Sequence, residues 1–231
     1  MSEPEVTSTG NSTHTNRLFQ LDRTSVLLVL FLLAAVAAMY WYLVNLSTNI
    51  VHLTVEQGTR IQSETLQEFR KLYSSEVVAR VQKYGILPTH DYEHIPRSIP
   101  LPATMTIELG KAVASRGEGT SVRLYSQYPF PWRKAEGGAR DAFEREALTY
   151  LIEHPQDSYS RFDMVNGESV YRYATPDVMK ESCVQCHNTH PDSPKRGWKV
   201  GDVRGVLEIS RPLKAVLKQA DQQLSQTYLV V

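Results

Sequence analysis

From Val26 to Val44 the chain runs through 19 consecutive apolar or aromatic residues, and no Asp, Glu, Lys or Arg falls between Thr24 and Val55. At roughly 1.5 Å per helical residue, such a run crosses a hydrocarbon layer of about 30 Å. Tyr40, Trp41 and Tyr42 stand at its C-terminal end, where amphipathic rings favour the membrane–water interface. A buried helix of a soluble protein would show a polar stripe, and this run has none. Ala35-Val36-Ala37 resembles a signal-peptide cleavage site, but Ala38 to Val44 continue the apolar run, so the segment reads as an uncleaved transmembrane anchor over residues 25–45.

Arg17 and Arg23 lie close before the span and the first basic residue after it is Arg60, which places the N-terminus in the cytoplasm. Residues 1–24, rich in Ser, Thr, Asn and Glu, read as a disordered cytoplasmic tail. Hydrophobic residues make up 42% of the 231; without the apolar run the figure drops to about 37%, that of a modest domain. Lys and Arg (25) balance Asp and Glu (25), so there is no electrostatic case for a nucleic-acid partner.

Beyond the anchor, residues 54–84 lack proline and carry Leu66, Phe69, Leu72, Tyr73, Val77, Val78 and Val81 at near-helical spacing, predicting one long helix that ends near Gly85. Four prolines between 88 and 102 predict an irregular loop, followed by a helix over 103–115. Residues 121–126 read as a strand, stopped by Tyr128-Pro129-Phe130-Pro131-Trp132, and 139–154 as a helix. Asn166-Gly167 joins strands at 159–165 and 169–174 in a hairpin, 203–210 is another strand, and Pro212 opens a final amphipathic helix to residue 231. Strands and helices mixed without a strand–helix–strand repeat predict an α+β domain with an antiparallel sheet over residues 46–211.

Both cysteines of the chain fall in Cys183-Val184-Gln185-Cys186-His187. The spacing C-x-x-C-H lets two thiols join the vinyl groups of one haem while the adjacent histidine reaches the iron. A dithiol redox pair has no need of His187. A zinc site finds three ligands in Cys183, Cys186 and His190 but no second cysteine pair. A disulfide across two residues is strained. Haem is attached to such motifs outside the bacterial cytoplasm, so the domain after the span is expected in the periplasm, anchored in the inner membrane by a single pass.

The signature is wider than five residues. IPLPAT at 99–104, RLYSQYPFPWR at 123–133, Tyr173-Ala174, CVQCHNTHPDSPK at 183–195 and WKVGDVRGVLE at 198–208 together resemble the c-type-haem, PAS-like periplasmic sensor family, long catalogued as a domain of unknown function. The resemblance covers approximately residues 50–212. It implies a PAS-like sheet with long flanking helices and one covalent haem c. Such domains commonly precede kinase or cyclase output modules, and others stand alone as small cytochromes. Part of the family uses a cysteine on the first long helix as second iron ligand; this chain has no third cysteine, which excludes that ligation.

The second ligand is therefore sought among His90, His94, His190, Met105, Met164 and Met179. His190 stands too near His187 to reach the opposite haem face, and the methionines are read as core filler. The expectation is His90 or His94, or an open iron that binds a small gas. Arg123, Arg133, Arg140 and Arg172 are candidates for the haem carboxylates. Arg133 ranks first, because Tyr128, Phe130 and Trp132 beside it would wall a porphyrin. Glu144 and Glu146 read as a solvated helix face, and no catalytic constellation is evident, so the chain is not expected to be an enzyme. The functional expectation is a sensor of redox state or a small gas; the alternative is a membrane-tethered monohaem electron carrier, or a structural haem subunit of a larger assembly. A homodimer through the flanking helices, and a downstream output module or redox partner, are the expected partners.

Overall fold

The computed structural model describes residues 23–115 and 119–214. The tail expected over 1–24 falls almost wholly outside these residues, as does most of the expected C-terminal helix. The chain divides into two units between Thr48 and Asn49. Helix α1, Arg23–Leu72, supplies the described part of the first unit and opens the second.

In the first unit every apolar side chain from Leu27 to Val44 faces outward. Polar side chains fold back on the helix: Asn45 Nδ2 donates to the Trp41 carbonyl at 2.9 Å and Thr48 Oγ1 to that of Val44 at 3.0 Å. This is a helix long and apolar enough to cross a membrane, a description that a signal sequence also meets.

The second unit mixes helix and sheet. After Leu72 the helical path passes through a π-helical turn at Tyr73–Val78 and ends in α2, Ala79–Gln82. Two short strands follow, β1 (Leu87–Thr89) and β2 (Ser98–Pro100), where the prolines predicted only a loop. They pair in parallel, and flanking bonds from Leu87 N to Arg97 O and from Leu101 N to Thr89 O use donors next to Pro88 and Pro100, which have none to give. Helix α3, Pro102–Ala114, starts on a proline whose missing N–H costs nothing at that position.

The main sheet comprises β3 (Ser121–Tyr125), β4 (Tyr159–Val165), β5 (Glu168–Val178) and β6 (Val203–Pro212), antiparallel in the order β3-β6-β5-β4. The expected hairpin turn is present, with φ of 53° at Asn166 and 81° at Gly167. Pro212 is the last residue of β6, opposite Val170, and helical backbone begins directly after it at Leu213; the rest of the expected C-terminal helix lies outside the described residues.

Alternation along the strands gives the sheet two buried faces. On one, Tyr125, Ala174 and Val206 pack with Phe143, Ala147, Leu148 and Leu151 of α4 (Ala142–Glu153). On the other, Leu124, Leu207 and Ile209 pack with Leu66 of α1 and with Ala103, Ile107 and Leu109 of α3. The buried stripe of α1, Val55, Thr59, Ser63 and Leu66, follows a helical period, and Ser63 Oγ meets Thr175 Oγ1 of β5 at 2.9 Å.

Glu144 corrects the expectation of a solvated helix face. It is only 2% exposed and takes two bonds from Arg123, at 2.6 and 3.2 Å. Arg172, buried beside it, donates to Glu208 at 2.8 Å and to Asp141 at 2.7 Å and lies over the Phe143 ring at 4.2 Å. Glu146, by contrast, is half exposed.

Candidate functional site

Helix α5, Glu181–Thr189, carries the cysteine motif. At 100° per residue, Cys183, Cys186 and His187 project within about a third of the helix circumference. Both cysteines are free thiols, so the disulfide alternative is not realised. Cys186 is exposed as a residue and Cys183 half-buried, but partial desolvation of the Cys186 sulfur, with the neighbouring Cys183 next in effect, pushes its thiol up. Burial, with the positive charge of Arg204 next in effect, pulls the His187 imidazole down to about 3. His187 is therefore neutral across the ordinary pH range, with a nitrogen lone pair to offer.

Two segments hold α5 in place. Ahead of it, Met179 is buried; its N–H donates to the Asp202 carbonyl at 2.8 Å and its carbonyl accepts from Gly201 N at 2.9 Å. Behind it, Asn188 and Trp198 exchange two bonds of 2.9 Å, and Lys195 Nζ lies 4.0 Å from the Trp198 ring. These contacts account for the length of the 183–208 block: its second half is the clamp on its first.

The aromatic segment forms one wall. Phe130 stacks on Trp132 at 4.6 Å and meets His187 at 5.2 Å and 63°, edge to face. His90 stacks almost parallel on Trp132, 4.1 Å between centroids and 5° between planes. His94, the other loop histidine, pairs with Asp91 instead, and its side chain is 78% exposed. His190 touches both Phe130 and Trp132, but its Nδ1 accepts from Asp192 N at 3.1 Å, which places the ring proton on the other nitrogen. Met164 is exposed, Met179 belongs to the core, and Met105 sits on α3.

A cavity of about 500 Å³ forms another wall of the site. Cys183 lines it from α5, Gln67 and Arg70 from α1, Ser74 from the π-helical turn, and Thr175 and Asp177 from β5. At its margin a single oxygen, Asp177 Oδ2, accepts from Arg70 Nη2 at 2.9 Å and from Arg204 Nε and Nη2 at 3.0 and 2.7 Å. Burial alone would raise the Asp177 carboxyl, but Arg70 and Arg204 hold it down to about 2. Sequence reasoning missed this cluster: Arg70 and Asp177 are separated by 107 residues, and only Arg204 stands in a motif block.

Of the arginines expected near a carboxylate ligand, Arg123 and Arg172 are consumed by the buried network of α4. Arg140 is exposed. Arg133 donates to the Leu124 carbonyl at 3.0 Å and has no ion pair among the described residues. Among those residues no three His, Cys, Asp or Glu side chains gather as a metal cluster, so the zinc alternative finds no assembled ligand set.

The site and fold define a class: an α+β domain with one C-x-x-C-H helix clamped at a sheet end beside a cavity. The sequence profile of the Tll0287-like family matches residues 48–212, and the chain belongs to that family. The resemblance read from the 183–195 and 198–208 blocks is thereby shown. Among solved structures, the crystal structure of the cyanobacterial heme-protein Tll0287 is similar at 19% identity and a TM-score of 0.49, over 68% of this chain and 94% of that one. No curated protein matches the chain.

Proposed function

We propose that the chain is a membrane-anchored, extracytoplasmic sensor domain that carries one covalent haem c and has no catalytic activity of its own. The observation that carries this reading is the face of α5, where two free thiols and a neutral imidazole project together and Cys183 lines a cavity. The residues present fit the group: Cys183 and Cys186 would hold it through thioether bonds and His187 through the iron. The haem, when bound, supplies an iron that changes oxidation state and accepts axial ligands. Phe130 fixes the plane of His187, and the clamp of Asn188 and Trp198 fixes the helix that bears all three side chains.

His90 would be the second protein side chain to hold the iron in this reading, because the aromatic wall that contacts His187 also carries His90 and not His94. A PAS-like fold is supported by the antiparallel sheet in which the first strand lies beside the last. The anchored, inner-membrane topology rests on the apolar run and the arginine asymmetry. Signalling, rather than electron carriage, is supported by α1, which bears the apolar run and also Arg70 at the cavity margin, and is followed directly by a π-helical turn. Exposed Ile61, Leu72 and Val77 on this helical path suit a second copy of the chain.

Spin labels on α1 and α3 of the full chain test the signalling role. The distance distribution should change between the oxidised and reduced protein; identical distributions in both states, with fast electron exchange, would assign the chain to electron carriage.

A further inference from the structure

The cavity margin holds a charge imbalance. Arg70 and Arg204 share the one carboxylate of Asp177, and the three side chains are only 16%, 13% and 14% exposed. Neither arginine has another ion pair among the described residues. The other acids lining the cavity are engaged elsewhere: Glu64 lies 3.8 Å from Arg60 at the surface, and Asp157 accepts from Tyr150 at 2.9 Å. Two guanidinium groups and one carboxylate leave a net positive charge in a sparsely hydrated place, an arrangement that polypeptides rarely leave uncompensated. All three bonds also converge on Oδ2, so Arg70, which donates to it through Nη2 alone, keeps donors to spare.

We propose that Arg70 anchors a carboxylate of the haem, so that a propionate supplies the negative charge this cluster lacks. The inference rests on the haem reading above and adds a residue to it. It moves the anchor from Arg133 to α1: Arg70 lines the cavity with Cys183, whereas Arg133 does not. A planar guanidinium suits bidentate carboxylate recognition, and Lys180 lies on the same cavity wall, whereas Lys71 there is paired with Glu68 at 2.7 Å. The prosthetic group is thereby tied to the long helix as well as to α5.

The test uses the full-length holoprotein and three variants. Arg70→Gln should keep its covalent haem, as read by the pyridine haemochrome, but shift the propionate bending band in the resonance Raman spectrum and lower the midpoint potential, because a cation that favours the reduced iron is gone. Arg70→Lys keeps the charge and the Asp177 contact; it should shift the band as well while restoring most of the potential. Arg80→Gln, at an exposed pair with Glu76, should match the wild type in both. An unchanged band in both Arg70 variants, with haem content intact, overturns this inference alone; a wild-type chain without covalent haem overturns it together with the proposed function.

Discussion

The Phe130 ring presents itself edge to face to His187, with centroids 5.2 Å apart, and on its other side stacks on Trp132 at 4.6 Å. One aromatic side chain thus packs against the candidate iron ligand and covers part of its ring. Phe130→Ala should preserve covalent haem but lower the midpoint potential in a redox titration, since water admitted to the iron favours the more highly charged oxidised state. The lost ring contacts should also cost about 1–2 kcal/mol in a denaturant titration.

His90 and His94 are four residues apart and have different surroundings. The ferrous wild-type protein should bind carbon monoxide slowly, and His90→Ala should bind it promptly, in a stopped-flow optical measurement. His94→Ala should behave as wild type, because its ring is turned to Asp91. Prompt binding by the wild type would show an open iron and remove His90 from the site.

Asp177 sets an acid limit. Its carboxyl is held down from 3.8 to about 2, so its contribution is fully present above pH 3.8 and is lost as the pH falls through about 2. The shift corresponds to about 2 kcal/mol. Asp177→Asn should be less stable at neutral pH, and the gap to the wild type should close between those two pH values in urea titrations.

Glu144 and Glu146 give a matched pair on one helix. Glu144→Ala strips the partner from Arg123 inside the protein and should cost about 3–5 kcal/mol. Glu146, half exposed and paired with Arg161 at 2.6 Å, should cost about 1 kcal/mol or less. Equal losses would mean that the buried network does not form.

What could be read from the sequence was local. Asn166-Gly167 dictates its turn because both positions need positive φ, and the motif of α5 states its chemistry within five residues. The apolar run is equally self-contained. Glu144 was misread because spacing along a helix does not reveal what a distant strand brings to it, and Arg123 arrives from β3. The Arg70–Asp177–Arg204 cluster was illegible for the same reason. Between the prolines at 88 and 100, the two strands escaped notice because proline content reports lost donors and not which edge would have used them.

The most direct test of the account is the mass and pyridine haemochrome spectrum of the full chain, produced in a bacterial host that attaches haem to proteins outside the cytoplasm. The wild type should gain the mass of one haem and show the c-type band, and Cys183→Ser with Cys186→Ser should lose both. An unmodified mass for the wild type, or haem fully extracted by acidified organic solvent, would contradict it.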